Sequence, residues 1–361
     1  MEALSIQGIG VVGGFGCGVS ALRQALQEGR QDLQPVRFET AAGPIETTAL
    51  LADTTELERF VNKRALRRID HFSRLTLLGA HLALEDAGLL GADRKRLGMV
   101  IATGYGATRT TFAFLDSVMK GSDILASPTH FSSSVHNAAA AHASILLEAT
   151  GPSLTVSQFE MSVPSALLTA RQWLAEKRVD AVLFGGVDES CEVMHYCWQR
   201  FFAETPSGRI RPFEFDAQSA VVGEGAAFLL LTRKEGDAPG YASIDAIRQG
   251  NCHAGSPELP AAGAYLLGAD GHRECAAAYG RHLPADAPAV SYAPLYGSLP
   301  VGPAFDLAIA AVSCRDNRLY PGPQGASRAL PASPESLLPQ GLCCLKFGPR
   351  GDYGWIRVRK D

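Results

Sequence analysis

No stretch of this 361-residue sequence is apolar for long enough to cross a membrane as a helix; the longest runs, such as AVLFGGV, fall far short of the ~20 residues a span needs. The start, MEALSIQGIGVVGGFG, has no basic region ahead of its apolar segment, so no secretion signal is read there and a soluble cytoplasmic protein is expected. An excess of positive charge is also missing, since 33 Lys and Arg stand against 37 Asp and Glu, a formal net charge of -4. The basic residues are dispersed, and the one dense cluster, KRALRR at Lys63 to Arg68, reads as a solvated helix face. That leaves no electrostatic footing for nucleic acid. The eight cysteines, at Cys17, Cys191, Cys197, Cys252, Cys275, Cys314, Cys343 and Cys344, show no C-x-x-C pairing. Their scatter argues against a disulfide framework and against a zinc site, and they read as packed thiols in a reducing compartment. No metal or cofactor is expected.

What is present is a large apolar fraction, 46% of residues, enough for one big domain or two fused smaller ones. Strand-like and helix-like segments alternate. ALSIQGIGVVGG reads as a strand ending in a glycine loop, and FSRLTLLGAHLALEDAGLL, apolar at three- and four-residue spacing, as a long helix closed by Gly91. RLGMVIATGYG, AVLFGGVD and AAFLLLTRK are nearly all apolar, as strands buried on both faces are. The pattern predicts an α/β protein with strands between helix layers. After Lys234 a second, shorter αβ block begins with ASIDAIRQGN and closes with LCCLKFG and YGWIRVRK, and its Pro/Ser/Gly-rich stretch PGPQGASRALPASPESLLPQG reads as a surface loop.

One stretch raises a chemical question. In TVSQFEMSVPSAL an extended run after Gly151-Pro152 bends at Glu160 and enters a helix. Enzymes place nucleophiles at such bends because the helix N-terminus stabilises negative charge. Here the residue at the bend is a glutamate.

Five segments, in order, resemble the β-ketoacyl synthases of fatty acid and polyketide biosynthesis. They are IQGIGVVGGFGCGVSALRQALQEG, RRIDHFSRLTLLGAHLALEDAGL, GMVIATGYGATRTTF, FSSSVHNAAAAHASILLEATGPSLTVS and RPFEFDAQSAVVGEGAAFLLL, the last with Ser219 in place of a family glycine. The resemblance implies a thiolase-like fold, two related halves in an α-β-α-β-α five-layer core with the C-terminal half shortened, and it implies a dimer. The halves are expected at residues 1–235 and 236–361.

The family's T-A-C-A/T-S-G motif falls on Gln158 to Val163, so its cysteine has become Glu160. Neighbouring Ser162 reads as a helix-terminal hydroxyl, with no His-Asp constellation around it. The family's two histidines, in H-G-T-x-T and K-S-x-x-G-H, have no counterpart among His253, His272 and His282. In YGSLPVGPAFDLAIAAVSCRDNRLYP, Tyr296 falls at the histidine under one alignment and Ser298 under the other; both alignments remain open, and both remove the imidazole. The glycine-rich gating loop becomes KFGPRGDYG, Lys346 to Gly354, stiffened by Pro349 and charged by Arg350. His253 stands in a structural loop, and His136 and His142 on or beside an interface helix.

No catalytic residue is therefore expected. The resemblance implies a non-elongating subunit like the chain length factors, of the type associated with aryl polyene and type II polyketide pathways. Such a subunit pairs with a catalytic ketosynthase, meets an acyl carrier protein transiently and shapes the chain tunnel. Tunnel or interface positions are expected at Phe112, Phe114, Leu115, Met119, His136, Asn137, Phe159 and Met161. Two alternatives stay open: malonyl-carrier-protein decarboxylation, with a neutral Glu160 imitating glutamine, and a divergent active homodimer.

Overall fold

Two runs of alternating strand and helix follow one another, and each builds a sheet of the same design. The computed structural model describes residues 3–40, 43–121, 126–202, 208–234 and 240–361; the expected divide at 235/236 falls outside them. In the first run β1 (Leu4–Gly13) turns through the two-residue β2 (Gly16–Cys17) into α1 (Gly18–Glu28). An antiparallel pair, β3 (Gln34–Thr40) and β4 (Gly43–Leu50), and the short α2 (Lys63–Leu66) lead to α3 (His71–Asp86). Then come β5 (Leu97–Thr103), α4 (Thr108–Gly121), α5 (Pro128–Ser134), α6 (Ala138–Leu146), β6 (Ser153–Ser157), α7 (Ser162–Ala175) and β7 (Ala181–Asp188). The run closes with α8 (Glu192–Phe201), the two-residue β8 (Val222–Gly223) and β9 (Gly225–Arg233). The second run comprises β10 (Ala242–Asn251), β11 (Ala264–Leu267), α9 (Arg273–His282), β12 (Ala289–Val290), α10 (Ala293–Tyr296), α11 (Gly302–Asp316), β13 (Ser327–Arg328), β14 (Leu342–Phe347) and β15 (Asp352–Arg359).

The first sheet runs β6-β5-β7-β9-β1, with the first three strands parallel and the last two antiparallel. The second runs β12-β11-β14-β15-β10 with the same directions, and the two-residue β13 adds an antiparallel edge beside β12. A short antiparallel pairing of Leu4–Ile6 with Ala242–Ile244 joins them at β1 and β10. β5 is buried along its whole length and β7 nearly so, as parallel strands covered on both faces must be.

Helices complete the layers. α11 is buried from Gly302 to Cys314, apolar on every side, and packs with α7 against strands of both sheets, so these two form the middle layer. α3 covers the outer face of the first sheet and α9 lies on β14 at the outer face of the second. The second half is the slighter one, because its outer helix has ten residues against sixteen in α3. α3 can sit close on β1 because Gly10 has no side chain; a Cβ there would lie 2.0 Å from the Gly79 carbonyl oxygen. The N-terminus of α3 is capped by Asp70, whose carboxylate accepts from Ser73 N at 2.9 Å.

Candidate functional site

β6 is an edge strand of the first sheet, and the bend that follows it is held by one buried hydroxyl. Ser162 Oγ accepts from Gln158 N at 2.8 Å and lies 2.9 Å from the Thr103 carbonyl oxygen and 2.7 Å from that of Phe159, with one proton to give. Ser162 is fully buried, so it ties the elbow together and is no nucleophile. The tie fixes Phe159 at φ 45, a left-handed conformation that costs a non-glycine residue about 1–2 kcal/mol. Its ring is pushed outward, 60% exposed, with its edge against Tyr105 at 6.3 Å between centroids.

Glu160 stands at the turn itself, before the first residue of α7. The closing loop lies directly over it: a Cβ on Gly348 would sit 3.5 Å from Glu160 Oε2. Burial raises the pKa of this carboxyl, while the Lys346 ammonium and its own backbone N–H pull the other way, and Asp270 and Asp352 push it further up.

The group facing it is an ion pair. Lys346 is only 2% exposed, and its Nζ donates to Asp270 Oδ2 at 2.7 Å and to the Gly268 carbonyl oxygen at 2.9 Å. Burial opposes both charges, yet each holds its partner ionised, the lysine raised and the aspartate lowered. Asp270 ends the loop after β11. Ser298 Oγ donates to the Asp270 carbonyl oxygen and accepts from Val221 N, while Tyr296 donates to buried Asp306 at 2.9 Å. Tyr296 and Ser298 thus spend their hydroxyls on buried structural hydrogen bonds, and neither offers a base. Burial holds Asp306 up to about 7.

Seven of the eight thiols offer no substitute nucleophile. Cys275, whose electrostatics couple to Lys346 and Glu160, has its pKa pushed far up by burial and by Asp270, and Cys17, Cys191, Cys252, Cys314, Cys343 and Cys344 are raised as well, all chiefly by burial. A raised thiol is a protonated, unreactive one. Among the described residues no group of three or more His, Cys, Asp or Glu is placed to hold a metal, and no helix is long and apolar enough to cross a membrane.

Comparison with known proteins places this geometry. A family model described as the N-terminal domain of β-ketoacyl synthase matches residues 1–237. The chain belongs to the β-ketoacyl synthase family. It is 27% identical over 235 residues to nodulation protein E of Rhizobium sp. (strain N33), covering 64% of this chain and 58% of that protein. It is 29% identical over 241 residues to putative polyketide beta-ketoacyl synthase 1 of Streptomyces virginiae, with 63% and 57% covered. The chain therefore spans less than two-thirds of the length of these curated relatives. Solved structures extend the likeness of fold to the whole chain. The ishigamide ketosynthase/chain length factor matches with a TM-score of 0.80 at 19% identity, covering 100% of this chain and 99% of that one. The AntDE:AntF complex, a type II polyketide acyl carrier protein with its ketosynthase bound to the hexaketide, matches at 0.78 and 17% identity, covering 100% of both chains.

On this ketoacyl synthase frame the expected tunnel and interface residues separate. Phe112, Leu115 and Met119 on α4 are exposed, Met119 at 85%, and Phe114 packs on Phe131 of α5 at 5.3 Å between centroids. The rest of that segment, 122–125, lies outside the described residues. His136 and Asn137 are exposed at the start of α6, and the His136 ring covers Gly106. Met161 points inward, 3% exposed, towards Gly354 of β15. Among the described residues eleven large apolar side chains are exposed, and eight of them lie between Phe112 and Phe159, on α4 to α6, β6 and the elbow. His253 is exposed beside the closing loop, where a Cβ on Gly351 would lie 3.3 Å from its Nε2.

Sequence reasoning missed Asp270 and Lys346. The signal was present: LLGADG repeats the plan of IATGYG, an apolar strand ending in glycines, and a single lysine inside the strand LCCLKF has to find a buried partner.

Proposed function

We propose that this chain is a non-elongating, chain length factor-like subunit that pairs with an active β-ketoacyl-ACP synthase and shapes the tunnel holding its growing chain. The observation that carries the reading is Glu160 at the elbow, at the position of the family's thiol and within the electrostatic reach of the buried Lys346–Asp270 pair. A carboxylate cannot hold an acyl group as a stable thioester does, and an anhydride formed there would hydrolyse. The divide between a synthase-like half and a reduced half is placed in this reading at about residue 235.

The pairing surface is argued from exposure. β6 has no neighbour on its outer side among the described residues, and exposed apolar side chains lie on it at Leu154, on the elbow at Phe159 and on α6 beside it at Ile145. An unpaired edge beside so much apolar surface is a docking face, and its occupant in this reading is a ketosynthase of the same fold. An apolar tunnel end limits how much chain is buried, at ~0.8 kcal/mol per methylene. The substrate is then an acyl or polyene chain tethered to an acyl carrier protein and elongated on the partner, as in aryl polyene or type II polyketide assembly.

Co-expression with a catalytic β-ketoacyl synthase from the same source tests this. A stable heterodimer is expected, with product length altered by substitutions at Leu115 or Met119. Acyl transfer from acyl carrier protein onto this chain alone would sink the reading and favour an active homodimer. One observation favours malonyl decarboxylation as a second reading: burial raises Glu160, and a protonated carboxyl donates a hydrogen bond as a glutamine amide does. Release of carbon dioxide from malonyl-carrier protein by this chain alone, lost in Glu160→Ala, would establish it.

A further inference from the structure

α7 begins at the elbow, and its last two turns border a cavity of about 430 Å³. Leu168, Arg171, Gln172 and Ala175, at spacing i, i+3, i+4 and i+7, turn one face of the helix to it. Leu4 of β1 and Arg233 of β9 close it from the first sheet. The lining is apolar apart from Gln172 and the two arginines, and it holds no acid, in a chain whose net charge is -4.

The two arginines are used differently. Arg233 Nη1 donates to the carbonyl oxygens of Leu174 at 3.0 Å and Val179 at 3.1 Å, so its charge is set against the negative end of α7, which would otherwise repel an anion. Arg171 is partly buried, and among the described residues it has no hydrogen-bond or ion-pair partner. The acids that follow it along the chain are engaged elsewhere: Glu176 accepts from Gln172 Nε2 at 2.8 Å and Asp180 from Arg96 Nε at 2.7 Å, and neither lines the cavity. A guanidinium drawn against apolar surface gives up hydration, and its planar fork of N–H donors fits a carboxylate through two parallel bonds. Apolar walls beside such a fork suit the tail of the molecule that carries the carboxylate.

We propose that this cavity binds a small carboxylate with a short apolar tail, Arg171 holding the carboxylate and the tail lying along Leu168, Ala175 and Leu4. The cavity shares no lining residue with the elbow or with the exposed apolar side chains of α4 to β6, so the proposal does not rest on the function given above.

The test is calorimetric titration of the full chain with octanoate and with octan-1-ol, which has a tail of the same length and no charge. Octanoate is expected to bind about tenfold tighter or more, the worth of a hydrogen bond between charged groups. Arg171→Gln, on a partly exposed helix face and with helix propensity kept, should bring the two affinities together. Equal affinities in the unaltered chain, no binding of octanoate, or a preference that survives Arg171→Gln would each overturn the proposal. Ala175→Trp, which fills the cavity from an exposed position on the lining face, gives an independent check: it should abolish binding of octanoate, and retained binding overturns the assignment. The titration needs no partner, so its failure leaves the pairing reading standing, and failure to pair leaves the titration unchanged.

Discussion

The loops after β5 and after β11 occupy matching places in the two halves, and each receives a charged side chain from the neighbouring parallel strand. In the first, Asp188 at the end of β7 accepts from Thr103 Oγ1 at 2.7 Å, Tyr105 N at 2.9 Å and Gly104 N at 3.0 Å. In the second, Lys346 of β14 donates to Gly268 O and to the Asp270 carboxylate. One charge is solvated by neutral dipoles, mostly backbone, and the other is balanced by a second full charge. Burial accordingly raises Asp188 to about 6, whereas Asp270 stays low beside its lysine. The first arrangement depends little on which side chains the loop carries. The second depends on two particular side chains, whose charges both act on Glu160 where the C-terminal half meets the elbow.

Breaking the second loop should cost most. Lys346→Met leaves Asp270 buried without a counter-charge, and a loss of about 3–5 kcal/mol in urea unfolding is expected. The double variant Lys346→Met, Asp270→Leu should recover most of that, because an apolar pair of similar volume replaces the ions. A double variant no better than the single would show that the pair is not the unit that matters.

The first loop should break more gently and with a pH signature. Asp188→Asn exchanges an acceptor-only group for an amide and is expected to cost about 1–3 kcal/mol. An acid whose folded pKa lies above its unfolded one holds its proton more readily when folded, so protonation favours the native state. Stability carried by this group therefore falls as pH rises from about 4 to about 6. The difference between the parent protein and Asp188→Asn, measured across that window, should show this slope; a flat difference would mean that Asp188 does not titrate there.

Much of the frame was legible in the sequence, because the buried strands LGMVIAT and AVLFGGVD and the periodic helix over His71 to Asp86 declare themselves locally. The elbow was legible through register, since the count from Gly151-Pro152 brings Glu160 to the turn that the structure shows. Side chains were legible only where a motif named them. Lys346 and Asp270 are 76 residues apart, and no local pattern pairs them. The hairpin of β3 and β4 went unread because its strands are half exposed and interleaved with charge. Tyr296 and Ser298 could not be ordered by alignment because the shortened half lacks the spacing that fixes the register; in the structure both are buried and hydrogen-bonded, Tyr296 to Asp306 and Ser298 to the Asp270 carbonyl.

The smaller effects lie at the elbow, where the two halves meet. Phe159→Gly removes the left-handed strain and Phe159→Ala keeps it, while both lose the ring, so the glycine variant should be the more stable of the two by about 1 kcal/mol. Pairing with a ketosynthase should weaken equally in both, since the exposed ring is gone from each. Unequal pairing would mean that the backbone, and not the ring, is what the partner reads.

Glu160→Gln should change folding stability least, by less than about 1 kcal/mol, because it removes two opposed influences together. Burial disfavours the charge, and the Lys346 ammonium with the elbow's own N–H favours it. In Lys346→Met that balance is gone: the carboxyl keeps its burial cost and loses its nearest cation, so Glu160→Gln should then be stabilising. Measuring Glu160→Gln in both backgrounds gives the coupling between elbow and loop directly. A coupling of zero would make Glu160 a bystander of the Lys346–Asp270 pair; a favourable one would show that the three charges act as a set, with the lysine making a carboxylate at the elbow tolerable.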